Sequence, residues 1–183
     1  MLDLKNLTWE HHKNAERQAF VKEMFSGNIS HERYATYLYN QFPQYDLLEA
    51  MSFPHGLFNN MPELRRAPLI MQDFRELWLD QDVKPHVCPV VEEYVLYLKT
   101  IMDKPEKLMA HVYVRHMGDL SGGQMIAKRV PGSGNYYKFD RDTDELKDIV
   151  RSKLNNEMAD EAKVCFEFAT KLFQQLDEIK TVD

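Results

Sequence analysis

The 183-residue sequence contains little of what several protein classes require. Its two cysteines, Cys88 and Cys165, are far apart and form no C-x-x-C pair, which predicts reduced thiols and a cytoplasmic location. No segment approaches the roughly 18 consecutive apolar residues that a membrane-spanning helix needs, and the first residues form no apolar signal segment. The net charge of −6 and the absence of Lys/Arg runs argue against nucleic-acid binding. We therefore expect a soluble protein with no membrane and no nucleic acid among its partners.

Glycine and proline are also scarce. The seven glycines and eight prolines indicate few tight turns and long secondary-structure elements. No β-hairpin pattern, internal repeat or low-complexity segment interrupts the chain, and apolar residues recur at helical spacing. The sequence therefore predicts an all-α protein, a single domain over residues 1–183 built from about seven or eight helices.

Caps and breakers mark the first helices. One helix is predicted from Leu4 to Phe25, with residues 26–28 (SGN) as its stop. Ser30 is the expected N-cap of a second helix, which Pro43 should kink because proline removes a backbone donor. Two further helical segments are predicted in residues 63–78 and 90–102.

The second half of the chain is read in the same way. Pro105 opens a predicted helix that continues to about Arg129, where residues 130–140 break it. Two amphipathic helices follow in residues 143–158 and 159–180, with Asp142 or Thr143 as the cap of the first and Asp160 as the cap of the second.

Residues 118–123, GDLSGG, place three glycines inside a segment that is otherwise helical. Each glycine in a helix interior costs on the order of 1 kcal/mol relative to alanine, or about 3 kcal/mol together. A close helix crossing, a kink, or a flat ligand against bare backbone would each explain them. On the glycines alone, packing or a kink is the favoured explanation.

A histidine near the N-terminus changes this balance. His12 and Glu16 lie four residues apart, on one face of the first helix, so the carboxylate can accept one ring N–H while the other nitrogen faces a ligand. Metal-ligating histidines are oriented in this way. Taken alone, however, such a histidine is more often an ordinary surface or core residue.

Two motifs together resemble a known family. Residues 8–16 (TWEHHKNAE) resemble the T-x-x-x-H-x-x-A-E segment of heme oxygenases, and residues 110–124 (AHVYVRHMGDLSGGQ) resemble the distal-helix signature of the same family. The second match is long and specific. With residues 147–155 and the last helix, the resemblance covers the chain from about Lys5 to Leu176.

The resemblance implies a helical bundle in which heme is sandwiched between a proximal helix and a kinked distal helix. Heme b would be both substrate and cofactor, and dioxygen the co-substrate. His12 would be the proximal iron ligand, with Glu16 as its anchor. The distal glycines, namely Gly118, Gly122 and Gly123, would let the backbone approach the porphyrin.

The same resemblance gives Asp119 a role in catalysis. In the family, the corresponding aspartate delivers protons through ordered waters, which suits gentle proton transfer. Arg115, and Tyr39 on the second helix, are the residues we expect to organise these waters. Without the surrounding motif, an aspartate between glycines would be expected to form a hydrogen bond with its local backbone.

The product depends on how the heme is oriented. Four residues occupy the family's propionate-contacting positions, namely Lys5, Tyr113, Lys147 and Arg151. Phe166 could line the heme pocket. Lys147 and Arg151 are four residues apart and point the same way on a helix, although such a pair is usually a solvated face. This anchoring implies cleavage at the α-meso carbon, with biliverdin IXα, carbon monoxide and ferrous iron as products.

The chain resembles soluble bacterial, algal and phage-borne forms, since it has no long C-terminal extension. Ferredoxin is therefore the expected electron donor, and a bilin reductase is a candidate downstream partner. Two residues depart from the family pattern: Trp9 replaces a basic residue and His116 replaces a tyrosine. We hypothesise that His116 titrates near neutral pH and affects proton delivery.

Three other hypotheses about function stay open. A non-catalytic heme-binding or sensing protein of the same fold would need neither Asp119 nor the glycines. A di-iron oxidase or thiaminase-like relative would need paired carboxylate and histidine clusters, and the sequence contains no E-x-x-H pair. A purely structural bundle would bind no heme at all.

Overall fold

The computed structural model describes residues 1–179, and within them the chain forms ten α-helices, four short 3-10 helices and no strands. The all-α prediction is confirmed. The α-helices, numbered in chain order, are α1 Leu4–Leu7, α2 Trp9–Glu16, α3 Ala19–Ser26, α4 His31–Ser52, α5 Ala67–Leu77, α6 Pro89–Thr100, α7 Pro105–Leu120, α8 Gly123–Ile126, α9 Thr143–Arg151 and α10 Ala159–Glu178.

The first predicted helix is wrong as a single element, because three short helices replace it. The Thr8 hydroxyl donates to the Leu4 carbonyl at 2.8 Å, where α1 ends and α2 begins. The second break lies at Gln18, whose extended backbone (ψ 142°) turns the chain before α3. The predicted stop is confirmed: Gly27 adopts φ +80°, a conformation that glycine allows without strain.

The second predicted helix is confirmed as α4, while the kink expected at Pro43 stays a prediction. The Ser30 side chain accepts a hydrogen bond from the Arg33 amide at 3.1 Å, as the N-cap prediction requires. The helix continues through Pro43 to Ser52 without a break. It packs against α5, α6 and α7, so it carries side chains into the centre of the bundle.

The glycine-containing helix is shorter than predicted. Helix α7 ends at Leu120 rather than near Arg129, and the chain turns at Ser121 and Gly122 before α8 begins. The physical reason is local: glycine has no side chain to restrict its backbone, so a run of glycines weakens the helix at this point.

The two C-terminal helices are confirmed with changed boundaries. Asp142 is the N-cap of α9, since its carboxylate accepts from the Asp144 and Glu145 amides at 2.8 and 3.2 Å. Helix α9 ends at Arg151, and a 3-10 turn separates it from α10. Asp160 lies in the first turn of α10 and does not cap it, which corrects the prediction. The predicted end at Lys180 lies outside the described residues.

Helix α10 joins the two regions from which the candidate site is built. It packs on α2 and α3 on one side and on α6 and α7 on the other. Two clusters of buried apolar side chains surround it, one centred on α3, α4 and α5 and one on α6, α7 and α9. No helix of the described residues is long and apolar enough to cross a membrane.

Candidate functional site

His12 lies on α2 with its ring held on two sides. The Trp9 ring stacks on it at 5.4 Å between centroids, and the edge of Phe166 from α10 approaches at 5.6 Å. Glu16 Oε1 lies 3.3 Å from His12 Nε2, which is the predicted i, i+4 contact. The His12 side chain is 38% exposed. The structure thus joins His12, Glu16 and Phe166 at one site.

The three glycines have different surroundings, which the sequence did not distinguish. A Cβ built on Gly118 would meet no atom within 4 Å, so this part of α7 faces open space. A Cβ on Gly122 would make an ordinary contact with Phe25 at 4.0 Å. A Cβ on Gly123 would lie 2.5 Å from Cδ1 of Tyr137. The missing side chain of Gly123 therefore leaves room for the Tyr137 ring, and its place beside a ligand stays a prediction.

Asp119 lies one residue beyond the open backbone of Gly118 and is almost fully buried. Its two carboxylate oxygens accept from the Tyr45 hydroxyl at 3.1 and 2.9 Å. Burial raises the pKa of Asp119 to about 6, against the opposing effects of His116, Tyr45 and Arg66. A carboxyl with this pKa exchanges a proton close to neutral pH.

Tyr45, and not Tyr39, is the α4 tyrosine that reaches Asp119. Tyr39 instead packs against Phe74 at 5.0 Å between ring centroids. Both tyrosines lie on α4, and only the packing of α4 against α7 determines which one meets the carboxylate. The periodicity of the sequence contains no information on that register.

Arg115 is buried one helical turn before Asp119, but its guanidinium points to other partners. Its Nε donates to the Tyr94 hydroxyl at 3.1 Å and its Nη2 donates to Gln44 Oε1 at 2.9 Å. The guanidinium also lies 4.3 Å from the centre of the Tyr94 ring. Arg115 is therefore a fixed positive charge on the distal helix, held by α4 and α6.

Behind Tyr94 lies a buried polar cluster that the sequence analysis missed. His111 Nδ1 lies 2.7 Å from the Tyr94 hydroxyl, and His111 Nε2 lies 2.9 Å from Glu161 Oε1. The Tyr97 hydroxyl also donates to Glu161. These contacts connect α6, α7 and α10. His111 sits within the distal motif, yet nothing in its spacing to Glu161 indicated the pair.

Breaking this pair should give a measurable, pH-dependent loss of stability. Burial lowers the pKa of His111, but the effects of Cys165 and Glu161 outweigh burial, so the net shift is upward. Burial raises the pKa of Glu161, but the hydrogen bonds from His111 and Tyr97 outweigh burial, so the net shift is downward. The pair should therefore contribute fully near pH 6, and its contribution should fall as pH rises through the folded-state pKa of His111. A double-mutant cycle with His111→Phe and Glu161→Gln should give a coupling of about 2 kcal/mol at pH 6 in urea unfolding. An equal or larger coupling at pH 9 would contradict this assignment.

The predicted propionate residues lie on α1, α7 and α9, of which α7 and α9 are in contact. Burial raises the pKa of Tyr113, and the positive charge of Arg151 is among the smaller effects that oppose this rise. Lys5 lies 5.8 Å from the centre of the Trp9 ring. Lys147 pairs with Asp144 at 3.8 Å, and Arg151 pairs with Asp148 at 3.1 Å. Both of these ion pairs involve exposed carboxylates and are easily exchanged for another anion.

The heme oxygenase family model matches residues 1–175 of the chain. Heme oxygenase 2 of Macaca fascicularis is 29% identical, and the alignment covers 96% of this chain and 64% of the relative. Heme oxygenase 2 of Synechocystis sp. is 33% identical, over 86% of this chain and 71% of that one. The chain thus spans about 64% of the length of the mammalian heme oxygenase 2 proteins that it matches.

Solved structures agree in fold. The crystal structure of heme oxygenase-2 from Synechocystis sp. in complex with heme and NO superposes with a TM-score of 0.83 at 28% identity, covering 96% of this chain and 84% of the other. The cyanobacterial heme oxygenase-1 in complex with heme has a TM-score of 0.84 at 24% identity, covering 95% and 90%, and shows the fold alone. With the family model matching almost the whole chain, this protein belongs to the heme oxygenase family.

Proposed function

We propose that this protein is an active heme oxygenase. It cleaves heme at the α-meso carbon to biliverdin IXα, carbon monoxide and ferrous iron, with dioxygen as co-substrate. The observation that supports this most directly is that Gly118 and Asp119 are adjacent on α7. A backbone that faces open space is followed at once by a buried carboxyl whose pKa is about 6. A protein that only carried or sensed heme would need no such proton-holding group beside the open backbone.

The residues present fit heme b. The open space at Gly118 is what a flat macrocycle against bare backbone requires, and a side chain there would occupy it. His12 would ligate the iron, with Glu16 and Phe166 holding its ring. Four further side chains, Lys5, Tyr113, Lys147 and Arg151, would donate to the two propionates and so select one orientation of the macrocycle.

When bound, heme supplies both the iron that activates dioxygen and the carbon that is oxidised. The protein's own residues control protons and access. Asp119 holds a proton near the open face of α7, and Tyr45 fixes its carboxylate by two hydrogen-bond contacts. Arg115 adds a fixed positive charge nearby, and Gly118 keeps the space above the macrocycle free for dioxygen.

An acidic electron donor such as reduced ferredoxin would suit the surface next to His12. Trp9 is 38% exposed, and the ammonium groups of Lys5 and Lys13 lie 5.8 and 5.1 Å from the centre of its ring. This is a local basic patch on a chain whose net charge is −6. A cytoplasmic location and a bilin reductase that takes the product complete the proposal.

The test is a turnover assay in air. Purified protein is mixed with hemin, ferredoxin, ferredoxin reductase and NADPH, and the visible spectrum is followed with time. We expect a Soret band that decays into the broad red absorption of biliverdin, and chromatography of the product should give the IXα isomer. A Soret band that stays stable, with no bilin formed by ferredoxin or by a second reductant, would favour a heme carrier or sensor. No Soret band would overturn the proposed heme site.

Removing the proposed iron ligand should abolish this reaction. His12→Ala is expected to weaken the Soret band and to lower bilin formation by at least about 100-fold, because no other side chain replaces the imidazole. His11→Ala is the matched control, since His11 is adjacent and its Nε2 lies 3.3 Å from Glu167 Oε1, away from the His12 contacts. Equal loss in both variants would argue against a specific role for His12.

A further inference from the structure

Two ionisable side chains beneath the distal helix have no part in the function proposed so far. Glu49 on α4 and His116 on α7 are both 0% exposed, and His116 Nε2 lies 2.8 Å from Glu49 Oε2. His116 is also the position at which this chain departs from the family's tyrosine. The pair lies three residues from Asp119 along α7.

Both carboxylate oxygens of Glu49 have hydrogen-bond partners. Its carboxylate accepts from the backbone amides of Arg66 at 2.6 Å and Ala67 at 2.9 Å, at the N-terminus of α5. A helix N-terminus favours a negative charge, and three donors converge on these two oxygens when His116 is included. The Arg65 guanidinium lies 3.9 Å away and adds a further positive charge.

Both ring nitrogens of His116 face oxygen atoms that only accept. Nε2 faces the Glu49 carboxylate, and Nδ1 lies 3.1 Å from the backbone carbonyl of Val112. A neutral imidazole has one donor and one acceptor nitrogen, so it would place a lone pair against one of these oxygens. In a buried site that arrangement is costly, and a ring that carries both protons satisfies both contacts.

The pair reaches Asp119 through Tyr45. The Tyr45 ring packs edge-on against His116 at 5.2 Å between centroids, while its hydroxyl donates to Asp119. The Phe58 ring also contacts the imidazole edge-on, at 5.6 Å between centroids. His116 therefore contacts the ring whose hydroxyl donates to Asp119.

We propose that His116 is a protonated positioning residue, which Glu49 locks beneath α7 so that its charge favours the ionised form of Asp119. His116 acts through its contact with Tyr45 and through the electrostatic field of its charge, and it does not touch the substrate. This inference rests on the proposed function for the role of Asp119. It also replaces the hypothesis of a titrating His116 with a fixed charge.

The titratable side chains that face Asp119 come from each element packed around it. Tyr45 approaches from α4, Arg66 from the segment before α5, Tyr136 from the 3-10 turn Asn135–Tyr137, and His116 from α7 itself. His116 and Arg66 are the cations among them, and both lower the pKa of Asp119 against the effect of burial. Removing the charge of His116 while keeping a donor to Glu49 should therefore raise that pKa.

The test uses NMR on the heme-free protein. Two-bond ¹H–¹⁵N spectra of the wild type at pH 7 should show protons on both His116 nitrogens. In His116→Gln, which retains an N–H donor without the charge, the ¹³Cγ titration midpoint of Asp119 should move about one pH unit higher. His55→Gln, a surface histidine on the 3-10 turn Phe53–His55, is the control and should leave the midpoint unchanged.

Either of two results would overturn the proposal: one unprotonated nitrogen on His116 in the wild type, or an unmoved Asp119 midpoint in folded His116→Gln. If this variant does not fold, the wild-type nitrogen spectrum decides alone. Because no heme is present, these results are independent of the turnover assay. A protein that forms no bilin but gives the expected spectra would lose the proposed function and keep the charged pair.

Discussion

Replacing Asp119 with asparagine is expected to lower bilin formation by about 100-fold or more, because an amide cannot hold and release the proton that the carboxyl carries. The change keeps the size of the side chain and an oxygen that accepts from Tyr45. The initial rate of bilin appearance at pH 7 measures the effect. Asp46→Asn, at an exposed position on the same α4 helix as Tyr45, is the control and should retain wild-type turnover. Wild-type turnover in Asp119→Asn would remove Asp119 from the mechanism.

The same substitution should stabilise the folded protein, and more so as pH rises. Burial, the largest cause, raises the pKa of Asp119 from 3.8 to about 6. The folded state therefore holds this proton more tightly than the unfolded state, and its stability falls as pH rises through this range. The full difference corresponds to about 3 kcal/mol, of which about 1.4 kcal/mol falls between pH 5 and pH 8. Asparagine carries no such proton and avoids this loss.

Urea unfolding of wild type and Asp119→Asn over pH 5 to pH 8 measures that difference. The free energy of unfolding of the variant, minus that of the wild type, should increase with pH and level off above about pH 7. Other titrating groups are common to both proteins and cancel in the subtraction. A difference that stays constant across this range would show that the pKa of Asp119 is not raised on folding.

The second large effect separates two glycines that look alike in the sequence. Gly118→Ala should leave the free energy of unfolding unchanged or raise it by about 1 kcal/mol, because α7 is helical there and the new methyl group meets no atom within 4 Å. Its turnover should nevertheless fall by about tenfold or more, since the methyl group occupies the space that the substrate and dioxygen need. Urea unfolding and the hemin assay measure the two properties independently.

Gly123→Ala should show the opposite pattern of effects on stability. Its methyl group would lie 2.5 Å from Cδ1 and 3.1 Å from Cε1 of Tyr137, a buried ring whose hydroxyl is hydrogen-bonded to Tyr37 at 3.0 Å. Because the ring cannot move freely, overpacking should cost about 1–3 kcal/mol. Equal stability losses in the two alanine variants would contradict the surroundings assigned to these glycines.

Much of the fold was predictable because it depends on local chemistry. The caps at Ser30 and Asp142 and the stop at Gly27 are recognised from short stretches of sequence, since each satisfies or frees backbone groups within three or four residues. The same holds for the His12 and Glu16 contact, which helical spacing alone brings together.

The errors have a common cause. The helix predicted from Leu4 to Phe25 keeps an apolar periodicity across its breaks at Thr8 and Gln18, and α2 and α3 each pack on α10. Tyr39 and Tyr45 lie in one aromatic run of α4, and the contact of α4 with α7 determines that Tyr45 reaches Asp119. In each case several local arrangements have similar energies, and contacts with distant helices select one.

Local sequence patterns establish that this chain is helical and place His12, Gly118 and Asp119 in recognisable motifs. Contacts between distant helices pack Tyr137 against Gly123, bring Arg115 to Tyr94 and bring His116 to Glu49. The two groups of features differ in the range of the interactions that cause them. Helix propensity and caps act within one turn, whereas burial, pKa and hydrogen-bond partners arise where residues far apart in the chain exclude water together.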